Sequence, residues 1–184
     1  MSKLFSPLQM RSLTLRNRVF VSPMCMYSCE DGLPNDWHMV HLGSRAVGGA
    51  AMVIAEATAV APEGRISPRD CGLWNDAQAE AFAPVAAFIA AQGAVPAIQI
   101  GHAGRKASVV PPWQGGGAAA TDAGGWQTVA PSALPFGSAS PHPAELGAAD
   151  LEQICEKFEA AARRALKAGF QVIEVHMAHG YLLH

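Results

Sequence analysis

The sequence predicts an α/β fold of parallel crossover units, the first four of the eight that make a (β/α)8 TIM barrel. Three observations carry that prediction. Apolar runs of strand length alternate with segments of helix length along the 184 residues. Each run stays apolar until its C-terminal end, where reactive or small polar residues collect. Finally, 50 % of the residues are hydrophobic and only 15 % are charged, against roughly 25 % charged in an ordinary soluble domain. That balance suits a chain buried on several sides, or one that needs a partner to cover apolar surface.

The elements follow in order. Arg18-Val-Phe-Val21 reads as a short strand that breaks at Ser22-Pro23. The spacing predicts a helix over Asp36 to Val47, capped by Asn35 or Asp36 and ended by Gly48-Gly49. Ala51-Met-Val-Ile-Ala55 is a continuous apolar run, as a strand buried on both faces requires. Asn75 caps a helix from Asp76 to about Gln92, with Phe82, Val85, Ala86 and Ile89 on its buried side and Gly93 at the left-handed closing position. Val95 to Ile100 is the next strand, with Pro96 tolerable only near its start. A Gly-, Pro-, Ser- and Ala-rich stretch then runs from Gly101 to about Gly147. Structureless loops of that length are rare unless they serve a site, so this one is expected to cover something. Asp150 to Lys167 is the third helix, closed by Gly169, and Gln171 to His176 the fourth strand.

An open doubly wound sheet gathers its site at one switch point, whereas a barrel gathers it from every strand tip. Here the four tips read Ser22-Pro-Met-Cys-Met-Tyr27, Glu56-Ala-Thr58, Gln99-Ile-Gly-His102 and His176-Met-Ala-His-Gly-Tyr181. Four consecutive strands thus aim polar groups at one rim, which favours the barrel.

Other classes find no support in the sequence. A formal net charge of -2 offers no basic patch for nucleic acid. The apolar stretch around Ala50 to Ala55 is too short to cross a bilayer and stops at Glu56. The N-terminus lacks the apolar core of a signal peptide. Cys25, Cys29, Cys71 and Cys155 form no Cys-x-x-Cys pair, so reduced thiols in a cytoplasmic protein are expected. No Gly-x-Gly-x-x-Gly follows the first strand and no Walker loop is present. His176 and His179 follow a strand rather than sharing a helix face at i, i+4, so no metal is expected there. His38 and His41 read as surface or packing residues, the tryptophans as packing or loop anchors, and His102, Arg105 and Lys106 receive no role.

Four motifs then make a specific resemblance: Ser22-Pro-Met-Cys-x-Tyr27, Glu56-Ala-Thr-Ala-Val-Ala-Pro-Glu-Gly-Arg65, Ile98-Gln-Ile-Gly-His-Ala-Gly-Arg-Lys106 and His176-x-x-His-Gly-Tyr-Leu-Leu183. Together they resemble the Old Yellow Enzyme family, in its xenobiotic-reductase and thermophilic-like branch, from Phe5 to the last residue. The resemblance implies an FMN-dependent ene-reductase that consumes NADPH and reduces activated C=C bonds of enones, nitro-alkenes and maleimides. It implies that Ser22, Pro23, Met24 and Cys25 lie along the non-covalently held flavin, that Ala57 borders it, that Gln99 hydrogen-bonds its pyrimidine edge, and that His176 is also in the flavin site. His176 and His179 are the implied clamp on the substrate oxygen, Tyr181 the proton donor, Tyr27 a substrate-lining residue and Cys25 a tuner of flavin potential.

A (β/α)8 barrel takes about 250 residues, and this sequence supplies four strands. Residues 1–184 are therefore expected to be the N-terminal half of a single FMN-binding barrel domain. The C-terminal half is needed from elsewhere, from another chain or from a longer protein, and the complete barrel is expected to be a homo-oligomer. The alternatives are a dienoyl-CoA-reductase-like flavin barrel, or a catalytically incomplete fragment that acts through a partner chain.

Overall fold

A computed structural model describes residues 2–184. A short hairpin comes first, β1 (Leu8–Met10) and β2 (Leu13–Leu15), followed by β3 (Phe20–Val21), α1 (Asp36–Val47), β4 (Met52–Ala59), α2 (Asp76–Ala91) and β5 (Val95–Gly101). A long segment holding the small pair β6 (Val129–Ala130) and β7 (Ala144–Glu145) leads to α3 (Ala148–Lys167) and β8 (Val172–Val175). The central sheet has the order β3-β4-β5-β8 and is parallel throughout. Sheet order equals chain order, so the reversal that creates a switch point in an open doubly wound sheet is absent from it.

Local chemistry explains the helices. The Asn35 side chain accepts from Trp37 N–H at 3.0 Å, and the Asn35 N–H donates to His38 Nδ1 at 3.0 Å. Asn75 and Gln78 make the same reciprocal exchange at the start of α2. Gly93 and Gly169 close α2 and α3 with φ of +74° and +98°, a region only glycine enters freely. Pro84 lies inside α2, but on its exposed face, where the carbonyl it leaves unbonded is open to water. The buried face of α2 sends Phe82, Val85, Ala86 and Ile89 into the core. Phe82 meets Phe170 edge-on, with ring centroids 5.5 Å apart. Among the described residues, no helix is long and apolar enough to cross a membrane.

The opposite end of the sheet is closed by the hairpin, which the sequence reading missed. Leu15 is buried with Ala51, Met52 and Ala97, at the start of the central strands, and Leu8, Met10 and Leu13 pack beside it. Next to it, Arg16 donates to Gln92 O at 2.8 Å, Ala46 O at 3.0 Å and Ala50 O at 2.8 Å. One guanidinium therefore ties the C-terminal ends of α1 and α2 to the floor of the sheet.

Three boundaries differ from expectation. The first strand is shorter than Arg18–Val21, because the Arg18 N–H bonds back to Leu4 O at 2.9 Å instead of joining the ladder. The second strand does not stop at Ala55. It continues to Ala59 through a register shift between Ala55 and Thr58, so the polar Glu56 marks a bulge rather than an end. The segment 101–147 is not structureless: it holds 3-10 turns at Gly104–Lys106, Pro112–Gln114 and Thr121–Ala123, and the parallel pair β6–β7.

Phe82 is fully buried, so Phe82→Ala should destabilise the intact protein by about 3–5 kcal/mol through lost contact and a residual cavity. Chemical denaturation of variant and parent measures this; a loss below about 1 kcal/mol would mean that α2 is not packed as described.

Candidate active site

The tips of three of the four strands, β4, β5 and β8, meet at one cavity. The bulge after Ala55 and the last rungs of β5 and β8 bring Ala57, Thr58, Gly101, His102, His176 and Tyr181 around one cavity. The Ser22–Tyr27 loop after β3 is fastened to the same rim by Glu56, whose Oε2 accepts the Met26 N–H at 2.8 Å. Glu56 Oε1 in turn accepts from His38 Nε2 at 3.0 Å. A carboxylate only 3 % exposed is tolerable because both oxygens are bonded.

The end of β8 carries the densest chemistry. The His176 N–H donates to Ile100 O at 2.9 Å, continuing the ladder one residue past the strand. His176 Nε2 then lies 3.2 Å from His179 Nδ1. The Tyr181 ring stands edge-on to His176 at 5.0 Å and to His179 at 6.1 Å. His179 is held at φ +63°, an uncommon conformation for a residue with a side chain. Its carbonyl accepts from Lys106 Nζ at 2.8 Å, and the Lys106 ammonium also sits 4.3 Å from the Phe136 ring centroid. The long segment, through Lys106 and Phe136, thus covers this end of the site.

Burial keeps His176, Tyr181 and Cys25 uncharged. Burial, then repulsion by His179, lowers the His176 pKa below the ordinary 6.5, so its ring is an uncharged donor at neutral pH. Burial is the first cause that raises the Tyr181 phenol to about 12, with the neighbouring Cys25 and Tyr27 adding to it. Burial also raises the Cys25 thiol to about 12, reinforced by Asp70 and Glu56. Tyr27 has φ +51° and meets Trp113 edge-on at 5.4 Å.

Gln99 is buried at the rim, but its amide donates to Glu174 Oε1 at 3.0 Å, a partner to which the sequence reading gave no role. Lys106 was likewise unassigned. Trp126 anchors its loop, as expected, by donating from Nε1 to Glu63 O at 2.8 Å, beneath the Arg65 guanidinium. Away from the rim, Cys29, His38 and Cys71 meet in the interior. No sequence signal short of the fold would have joined the two cysteines, which stand 42 positions apart.

Comparison with known proteins bears on this geometry. The family model described as "NADH:flavin oxidoreductase / NADH oxidase family" matches residues 3–184. The chain belongs to that family. It is 44 % identical over 182 residues to an NADPH dehydrogenase of Geobacillus thermodenitrificans, covering 98 % of this chain and 49 % of the relative. Morphinone reductase superposes with a TM-score of 0.83 at 33 % identity, over 97 % of this chain and 49 % of that structure. An old yellow enzyme homologue from Zymomonas mobilis gives 0.82 at 29 % identity, over 98 % and 50 %. The chain spans about half the length of the curated relatives it matches. The sheet and its helices are four consecutive units of the (β/α)8 barrel that this flavin oxidoreductase family shares.

His102 generates a pH prediction. Burial lowers its pKa from 6.5 to about 4, and its Nε2 has no hydrogen-bond partner among the described residues. The unfolded chain therefore binds the proton first. Stability is complete above pH 6.5 and declines as the pH falls toward 4, by up to about 3 kcal/mol for a shift of this size. Asp70, raised to about 6 by burial, slopes the opposite way, so the difference between parent and variant is the informative quantity. His102→Asn keeps an acceptor for the Gly104 N–H and should flatten the acid side of the curve. Parallel pH profiles for both proteins in urea denaturation would contradict this assignment.

Proposed function

We propose that the protein is an FMN-dependent ene-reductase that oxidises NADPH, with residues 1–184 contributing half of a single FMN-binding barrel domain. The observation that carries this reading is the pairing of His176 Nε2 and His179 Nδ1 at 3.2 Å with the Tyr181 ring beside them, at the tip of a strand in a flavin oxidoreductase barrel. The remaining strands come from a C-terminal half, and the working enzyme is a cytoplasmic homo-oligomer.

The rim fits a flat conjugated cofactor. Met24, in the loop after β3, and Met177, just past β8, are left 44 % and 63 % exposed. Ser22, Pro23, Met24 and Cys25 offer backbone along one edge, Ala57 leaves room beside it, and the Gln99 amide reaches the interior. FMN, held there without a covalent bond, would supply the hydride. Cys25, kept as a neutral thiol by burial, adjusts the polarity next to the ring and so its potential.

The substrate is an activated alkene: an enone, a nitro-alkene or a maleimide. Its oxygen replaces the contact between the two imidazoles and accepts an N–H from each. Two N–H donors on one oxygen stabilise the negative charge that grows there as the neighbouring carbon is reduced. Tyr27 lines the approach. Tyr181, whose phenol stays protonated far above neutral pH, gives its proton to the adjacent carbon.

Two substitutions in the intact enzyme test the roles. Tyr181→Phe should slow alkene reduction about 10²-fold and leave flavin reduction by NADPH nearly unchanged in stopped-flow traces. Equal loss in both half-reactions would contradict a proton-donor role. His179→Ala removes one donor and should weaken phenol binding about tenfold, read from the phenol-induced change in the flavin spectrum. An unchanged titration would contradict the clamp.

A further inference from the structure

A second cluster of reactive side chains lies in the interior, apart from the rim. Cys29 follows the β3 loop, Cys71 follows the β4 loop, and His38 stands in the first turns of α1. Cys29 Sγ and Cys71 Sγ are 2.9 Å apart. His38 Nε2 is 3.5 Å from the first and 3.2 Å from the second. The three residues are 0 %, 0 % and 1 % exposed. Among the described residues this is the one place where three such side chains come within ligand distance of each other. We propose that Cys29, Cys71 and His38 form a buried three-ligand site for a thiophilic divalent cation of the zinc class.

The donor set is the first argument. Two sulfurs and one imidazole nitrogen, shut away from water, are the soft and borderline ligands that zinc selects over magnesium or calcium. A disulfide would account for the two sulfurs but not for an imidazole nitrogen directed at both.

Geometry is the second argument. With Zn–S of about 2.3 Å and Zn–N of about 2.0 Å, a tetrahedral site has S···N edges near 3.5 Å and an S···S edge near 3.8 Å. The two S···N distances of 3.5 and 3.2 Å are already close to that value. The sulfurs, now at 2.9 Å, would part by about 0.9 Å as the ion enters. Glu56 Oε1, 3.0 Å from the same Nε2, does not come within ligand distance of all three donors and is left outside the shell.

The outer contacts supply the third argument. His38 Nδ1 lies 3.0 Å from the Asn35 N–H and 3.2 Å from Asn35 Oδ1, so the cap of α1 serves either tautomer. With the cation on Nε2, the ring proton moves to Nδ1 and is donated to Asn35 Oδ1, the kind of outer hydrogen bond that orients a metal-bound histidine. The two thiols lose one proton each to solvent, and the divalent charge is balanced by two thiolates. Such an ion would join three parts of the fold: the loop after β3, helix α1 and the loop after β4.

The test is metal analysis of the intact protein, grown with zinc and purified without chelator. About one zinc per chain is expected by plasma mass spectrometry, falling below about a tenth in Cys71→Ser and unchanged in Cys155→Ser, whose thiol is exposed. The parent protein refolded with Co²⁺ in place of zinc should show a sulfur-to-cobalt charge-transfer band and the visible absorption of a tetrahedral ion. That spectrum needs no variant to fold. Parent protein with less than about a tenth of an equivalent of zinc and no cobalt bands would overturn the proposal. Peptide mapping that recovers Cys29 disulfide-bonded to Cys71 from the purified protein would overturn it equally.

Discussion

The hydrogen bond from His176 N–H to Ile100 O, 2.9 Å long, is the rung on which the site depends. It follows a ladder in which Ile98 lies opposite Ile173, Gln99 opposite Glu174 and Ile100 opposite Val175. Parallel pairing gives all four strands one polarity, so their chains leave the sheet at the same rim. Register then decides which side chains face inward. A slip of one residue would turn His176 to the opposite face of the sheet and separate it from His102 and Ala57. The pattern opposes that slip, because it would also turn Ile173, which packs against the core, to the opposite face.

Pairing alone does not position the loop after β3, since that strand contributes only two residues to the sheet. Glu56 does. Its carboxylate holds the Met26 N–H on one side and His38 on the other, and the irregularity between Ala55 and Thr58 gives it room within β4. A bulge costs regular ladder bonds. Here it places a buried acid where three segments of chain must agree, and the cysteine cluster lies immediately behind it, against the same His38 ring.

The sequence made α1 and α2 readable because their signals are local. An asparagine with a polar partner three residues on, an apolar stripe, and a closing glycine all lie within one element. The barrel was readable for a different reason: four strand tips of similar chemistry can share a site only if they share a rim. The hairpin was invisible because strands of three residues have no measurable period. The extension of β4 was hidden because Glu56, read alone, signals the end of a strand. The meeting of Cys29 with Cys71 depends on how two loops pack, which no spacing encodes. Likewise, nothing local announces the left-handed backbones of Tyr27 and His179, since most residues of either type are not left-handed.

Those two residues also show how rigidity is distributed. A non-glycine residue at positive φ persists only where its surroundings over-determine it. At the closed end, Arg16 and the hairpin bind the helix ends and the strand starts into one unit, leaving little freedom for the sheet to twist. At the open end, Lys106 grips the carbonyl of His179 while Trp113 rests edge-on against Tyr27. Both contacts come from the long segment between β5 and α3. That segment therefore acts as a brace: it holds two strained residues at the rim in place, while the sheet beneath them is fixed from below. Arg11, Asp31 and Ser108 share that backbone region elsewhere, but at Tyr27 and His179 it falls on a phenol and an imidazole of the rim.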